Sequence, residues 1–356
     1  MIYYTIAALF PLLINYYLYH EKMFFTLSED RFLKSKKRML VLAVLPMALL
    51  YALRYEKIGN DTIEYVHFFE TTVRKLSFAE LFDAEAERFE IGFKLYTKII
   101  SLFSDNYTIY FIITAIILFG VLARFAYKYT ENPFVVLYMF MTLGTYAFYE
   151  TGLRQALAMT ICLLAVDFAH GKKLIRFVLT VLIATLFHRS AYIFLLLYPL
   201  AHIKRTPFKI IANVLVGLVT VGGFAFFQDL FNTWLGYNYE IEQTGNGQIF
   251  ALLVTVIVIY ALFVLSGNRD ANIGQGVIVQ MALFSVIFWV LRLVSRSAER
   301  ISFYYTFGMY VYFAQTFKND KDKMQVVARI MFLLAFFALF CLRNSGAVYK
   351  FFWQGA

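Results

Sequence analysis

The stretch YTIYFIITAIILFGVLARFAY, residues 107–127, decides the kind of fold this chain adopts. Its first charge is Arg124, so with its flanks it forms an apolar helix long enough, at about 1.5 Å per residue, to cross a hydrocarbon core of about 30 Å. A helix apolar on every side suits a bilayer, where backbone polar groups must be satisfied within the segment. Working outward, similar runs occur at 2–19, 39–53, 132–149, 153–169, 173–187, 189–202, 209–228, 248–266, 275–294, 300–316 and 324–342. The pattern predicts an all-α, polytopic membrane protein of about twelve spans, a single integral-membrane domain over residues 1–356 with no internal repeat.

Composition points the same way, with 61% hydrophobic and only 16% charged residues. The net charge of +10 does not indicate nucleic acid, because Lys and Arg fall in short runs between apolar segments, as topology determinants do. Cys162 and Cys341 lie inside apolar runs without metal-ligand spacing and read as packing residues. The run from Ile2 to Leu18 lacks a basic leader and a small-residue cleavage site, so it reads as a retained span.

Basic linkers set the threading. Lys22, Arg31, Lys34, Lys36, Lys37 and Arg38 place segment 21–38 in the cytoplasm. Alternation then assigns Arg124/Lys128, Lys172/Lys173/Arg176, Lys204/Arg205/Lys209, Arg269 and Lys318/Lys321/Lys323 to the same side, and 54–106, 229–247 and both termini to the outside. Segment 54–106 is too polar to span, yet Phe89, Phe93, Tyr96, Ile100 and Phe103 keep helical spacing, predicting amphipathic helices on the outer leaflet. Ser77 and Glu80 are spaced as a capping box. The loop 229–247 carries Trp234, Tyr237 and Tyr239, suited to stacking on sugar faces or to interfacial anchoring.

Against that threading, six arginines stand where basic residues are normally depleted: Arg54, Arg154, Arg189, Arg292, Arg296 and Arg300 all fall at outer helix ends. A lipid diphosphate held at the outer face would account for them, since guanidinium binds phosphate oxygens in pairs. Snorkelling to lipid phosphates is the plainer account, but it does not favour one side. Arg292, Arg296 and Arg300 are four apart and share one face if their junction is helical, with Glu299 able to neutralise one of them. Two polar linkers too short to leave the membrane surface add Glu150 and Gln155 next to Arg154, and His188 next to Arg189. Gly59 and Asn60 make a turn, and Asp61 or Thr62 is placed to cap the helix that Tyr65 continues. Among arginines, a carboxylate such as Asp61 has a second use as a base toward a sugar hydroxyl, with His188 and Glu90 the next candidates. The outer side shows no Asp-x-Asp or His/Asp cluster with metal-ligand spacing, which predicts metal-independent chemistry without a cofactor.

These residues resemble the EpsG-type branch of the Wzy-like bacterial exopolysaccharide polymerases. The resemblance rests on Arg54 with Gly59-Asn60-Asp61-Thr62 and Tyr65; on Glu90-Ile91-Gly92-Phe93; on Leu153-Arg154-Gln155 with Ala158; on Phe187-His188-Arg189-Ser190-Ala191; and on Glu299-Arg300-Ile301 followed by Tyr304-Tyr305. It covers about residues 1–320; Asn60 departs from it, where that family more often has Thr. It implies transfer of a glycan from undecaprenyl diphosphate to a lipid-linked oligosaccharide repeat unit, an inverting-type glycosyltransfer at the outer face of the cytoplasmic membrane. It also implies the lipid bilayer as setting, with a chain-length regulator and a flippase as partners, in capsule, O-antigen or exopolysaccharide synthesis. Two other readings use the same features: a lipid-linked oligosaccharide flippase, which would place charges at mid-membrane, and a glycan ligase using the same donor.

Overall fold

The computed structural model describes residues 1–24, 28–83, 89–204, 206–222, 247–266, 275–293, 297–318 and 322–354. Among them the chain is helical, and extended backbone pairs only at an isolated antiparallel bridge between Arg54 and Phe351. Five helical segments are long and apolar enough to cross a membrane: Ile2–His20, Tyr107–Tyr129, Leu153–His170, Gln248–Leu265 and Lys323–Arg343. The Lys323–Arg343 helix leaves Val327, Met331, Leu334 and Leu342 more than half exposed, a continuous apolar face suited to lipid rather than water. The molecule is a membrane protein.

Among the described residues the remaining apolar runs become shorter or broken helices, so the five long helices do not confirm the expected count of about twelve spans. Run 132–149 divides into Pro133–Thr142 and Thr145–Thr151 because Gly144 sits at φ +90, a conformation that L side chains rarely adopt. Run 189–202 is a 3-10 helix, Arg189–Leu196, followed by Leu197–Ala201. At about 2.0 Å per residue its 3-10 part reaches further than an α-helix of the same length. Leu174–Thr185, Thr206–Gly222 and Gln275–Leu291 complete the short apolar helices. Run 39–53 extends backward through the basic segment into one helix, Glu29–Ala52, whose first turn holds Glu29 and Asp30 where the helix dipole favours anions.

The chain forms two compact units. The first comprises Met1–Leu163, Leu186–His188 and Asn319–Ala356. In it the Glu29–Ala52 helix packs on Ile2–Phe24 and on Tyr107–Tyr129, around buried Met47, Tyr51, Phe111, Phe119 and Tyr146. The Met1 ammonium donates to the Ala347 carbonyl at 2.7 Å, and Phe352 N–H donates to Leu53 O at 2.9 Å. Chain start, Leu53–Tyr55 and carboxy-terminal tail thus share one end of this unit.

Segment 54–106 folds within the same unit. Thr62–His67 runs into a π-helical turn, Phe68–Thr72, and the carbonyls just past its end are satisfied by buried Lys98, whose Nζ donates to Val73 O at 3.1 Å and Arg74 O at 3.2 Å. Ser77 and Glu80 form the expected reciprocal box, though it opens a single 3-10 turn, Glu80–Phe82. The Ile91–Ser101 helix buries Phe93 and Ile100; Phe103 lies beyond its end and points outward.

The second unit comprises Leu164–Thr185 and Arg189–Lys318. Helices Gln275–Leu291 and Ser297–Gln315 pack as an antiparallel pair: Trp289 meets Phe303, Phe288 stacks on Tyr305, and Gly308 lies against Met281. A Cβ on Gly308 would fall 2.2 Å from the Met281 Cβ, so this approach requires glycine. Gln280 Nε2 donates to Asn213 Oδ1 at 2.6 Å, pairing the amide on an otherwise apolar contact.

Candidate active site

In the first unit, four sequence motifs separated by up to about 130 residues come together. Gly59, at φ +92, brings the backbone so close to the Thr145–Thr151 helix that a Cβ there would fall 2.2 Å from Glu150 O. The Thr62 hydroxyl lies 2.7 Å from Ile58 O and 2.9 Å from Glu150 O. Gly59 and Thr62 therefore hold the turn that leads through Gly152 to Arg154. Asp61 between them occupies the N-cap position without a side-chain cap bond, so the capping expectation fails for it. Among the described residues its partly exposed carboxylate makes no hydrogen bond or ion pair.

Tyr65 and Phe68 enclose the Phe89 ring, and the Arg154 guanidinium lies 4.9 Å from that ring's centroid. Arg154 Nη1 donates to Glu90 Oε2 at 2.5 Å, and the two side chains are 15% and 6% exposed. One oxygen of Glu90, a candidate base, is thus already engaged. Gly92 N–H donates to Leu186 O at 2.8 Å, which seats the Leu186–His188 segment on this helix start; His188 is buried two residues on. Gln155 is buried beside Arg154 in sequence.

Arg54 is wholly buried. Its guanidinium lies 3.8 Å from the centroid of Tyr51 and 4.3 Å from that of Phe111, with Nη1 donating to Tyr51 O at 3.1 Å. Desolvated cation–π contacts of this kind contribute about 2 kcal/mol or more. The Tyr4 hydroxyl donates to Glu150, 3.1 Å from Oε1 and 3.2 Å from Oε2. Burial pushes the Glu150 carboxyl up to about 7, with the Arg54 charge and the Tyr4 hydrogen bond opposing. Tyr4 and Tyr146 were not singled out by sequence reasoning; Tyr4 is one of five tyrosines in the first apolar run, 2–19, and nothing local distinguishes it.

In the second unit, Arg292 Nε donates to Glu299 Oε2 at 3.0 Å, which engages the carboxylate expected to neutralise one of the trio. Arg292 stands in the turn after Leu291 and Arg300 in the first turn of the next helix, so these two do not share the one continuous helix that a stripe requires. Arg296 lies outside the described residues, as do Trp234, Tyr237 and Tyr239. Ser190 Oγ is 3.0 Å from the Tyr304 hydroxyl, and the Tyr305 hydroxyl donates to Ile193 O at 2.6 Å, so the motif beginning at Phe187 meets the motif beginning at Glu299. Arg189, next to Ser190, is exposed.

The fold and these polar groups define a multi-helix membrane protein with a charged arginine–carboxylate pair in each compact unit. A family model described as the EpsG family matches residues 37–354. Neither the curated proteins nor the solved structures contain a match. The chain belongs to the EpsG family, a Wzy-like family of exopolysaccharide polymerases. The match runs past Tyr305, where the quoted motifs end, and takes in the tail that docks beside Arg54.

Proposed function

We propose that the protein is an inverting-type polysaccharide polymerase that transfers a glycan from undecaprenyl diphosphate to a lipid-linked repeat unit, at the outer face of the bacterial cytoplasmic membrane. The observation that carries this reading is the family match over residues 37–354, which contains every arginine of the set. The diphosphate is already a good leaving group, so the chief chemical need is cationic charge where negative charge develops on it. Arg154, Arg292, Arg296 and Arg300 supply that charge, with Arg54 and Arg189 as supporting cations. The acceptor hydroxyl gives its proton to a base as its oxygen attacks the anomeric carbon, and the bond to the diphosphate breaks with its electron pair. Asp61 is the first candidate base because its carboxylate is partly exposed and has no side-chain partner among the described residues. No step calls for a divalent metal.

The test uses purified protein, a lipid-diphosphate-linked repeat unit and EDTA, with chain extension read on a gel. Extension is expected to continue in EDTA. Asp61→Asn is expected to keep donor binding and lose roughly 10²–10⁴-fold in turnover, the usual range for removal of a general base. Extension that depends on an added divalent metal, or that persists at full rate without the arginines, would overturn the mechanism.

A further inference from the structure

The first unit contains a cavity of about 170 Å³ that the reading above does not use. Its lining combines Tyr4, Tyr146 and Glu150 with Gly144, Arg343 and Asn344. These come from the first helix, the broken 133–151 region and the end of the last long helix, so no local motif announces them. Tyr4, Tyr146 and Glu150 are each less than a tenth exposed and belong to the buried part of the lining, while Arg343 is exposed. Gly144 has two reasons to be glycine: its φ of +90, and the Arg343 guanidinium, whose Nη1 would lie 2.7 Å from an added Cβ. The glycine thus lets the guanidinium rest directly on the backbone.

Three ligand classes can be weighed against this lining. A diphosphate would bring negative charge toward the Glu150 carboxyl, and a lipid tail would strip water from Glu150 and Arg343 without replacing their hydrogen bonds. A neutral sugar ring matches both ends. Its hydroxyls donate to Glu150 and accept from Arg343, and its C–H face packs on a tyrosine ring. The volume corresponds to roughly six waters, enough for one ring and too small for a chain.

We propose that this cavity is a monosaccharide subsite, in which Glu150, Arg343 and the Tyr4/Tyr146 pair hold one sugar ring of the lipid-linked oligosaccharide. The inference rests on the polymerase reading for the source of that sugar, and its test is separable from it. Full-length protein in nanodiscs is exposed to free glucose, galactose, N-acetylglucosamine and rhamnose, one at a time. Binding is read by saturation-transfer NMR, and inorganic pyrophosphate is added as a competitor. At least one sugar is expected to bind wild-type protein, to resist displacement by pyrophosphate, and to bind roughly tenfold or more weakly to Arg343→Met and Glu150→Gln, the effect of losing one charge-assisted hydrogen bond. Gly144→Ala is expected to weaken binding as well, by displacing the guanidinium. Because Arg343 is exposed, Arg343→Met leaves the core intact, and an unchanged melting temperature verifies this.

Absence of binding by all four sugars, displacement by pyrophosphate, or unchanged affinity in a folded Arg343→Met protein would each overturn the subsite. The gel assay on wild-type protein reports separately on the polymerase reading. Chain extension without sugar binding in the nanodiscs sinks the subsite alone. Sugar binding without extension sinks the polymerase reading and leaves the subsite standing.

Discussion

Among the described residues each unit holds an arginine–glutamate pair, Glu90–Arg154 in the first and Arg292–Glu299 in the second, and the two are built differently. Glu90 and Arg154 are 64 residues apart and join the start of one helix to the start of another, with side chains 6% and 15% exposed. Arg292 and Glu299 are seven residues apart, with side chains 9% and 27% exposed, so here the cation is the buried partner and the carboxylate the open one. The first pair is fixed by tertiary structure, with a ring beneath the cation; the second is a local latch with one partner open to its surroundings. Breaking a buried pair is costly because the remaining ion loses its compensation, whereas a half-open ion can recover solvent. A ligand anion should therefore compete more easily for Arg292 than for Arg154.

The largest expected effects come from deleting each cation. Arg154→Ala and Arg292→Ala are each expected to slow chain extension about a hundred- to a thousand-fold, as removal of one oxyanion donor does, equivalent to about 2.7–4 kcal/mol. Stability should distinguish them. Arg154→Ala deprives the buried Glu90 of its ion-pair partner and is expected to destabilise the first unit by about 3–5 kcal/mol, while Arg292→Ala leaves the melting temperature nearly unchanged. Scanning fluorimetry in detergent measures both, and equal losses of melting temperature would erase the contrast between the pairs.

Lysine replacements sharpen the same contrast at smaller magnitude. Arg154→Lys keeps a charge for Glu90 but loses the planar contact with Phe89, and Arg292→Lys loses the Nε donor used by Glu299. Each is expected to recover roughly tenfold of the rate lost in its alanine variant, equivalent to about 1.4 kcal/mol. Full recovery at either position would mean that charge alone suffices there, and paired geometry would drop out of the account.

What could be read from the sequence follows the same division between local and remote. The apolar runs, the Ser77–Glu80 box and the value of Glu299 as a partner for one of the trio were legible, because each depends on spacing within a few residues. The breaks within the helices were not, since a positive-φ glycine at 144 and a 3-10 stretch at 189–196 interrupt runs whose composition alone reads as continuous. The stripe of Arg292, Arg296 and Arg300 assumed one continuous helix, which Arg292 and Arg300 do not share. Nothing in one sequence says which distant carboxylate meets Arg154, so Glu90 entered as a base and emerged as an ion-pair partner. The Gly59–Thr62 motif was recognised as a motif, but its contact with the Glu150 backbone 88 residues away appears only in three dimensions.

That contact permits a test with a moderate expected effect. Thr62→Val keeps the shape and removes the hydroxyl shared by Ile58 O and Glu150 O, leaving a buried acceptor short of its donor. A loss of about 1–3 kcal/mol is expected, without a change in the metal or pH dependence of chain extension. If the variant instead loses turnover at wild-type stability, Thr62 belongs to the chemistry and not to the scaffold around Arg154.

The smallest expected effect lies at Ser77 and Glu80. The Ser77 backbone N–H, at 2.6 Å, and its hydroxyl hold the Glu80 carboxyl below its ordinary range. A carboxyl depressed in the folded state contributes stability above its unfolded pKa and loses that contribution as pH falls through the folded value. Acidification should therefore loosen the Ser77–Phe82 turn, and only there, because Glu80 is fully exposed and couples weakly to the core. Hydrogen exchange of this peptide, corrected for intrinsic rates, is expected to show less protection at about pH 3 than at about pH 6, where the carboxylate is formed. Glu80→Gln removes the titrating group and should flatten that difference while leaving the Arg154–Glu90 region unaffected. A variant that kept the wild-type pH response would place the sensitivity elsewhere in the segment, and not at Glu70, whose carboxyl is raised by burial and by Glu56 and so responds to acid with the opposite sign.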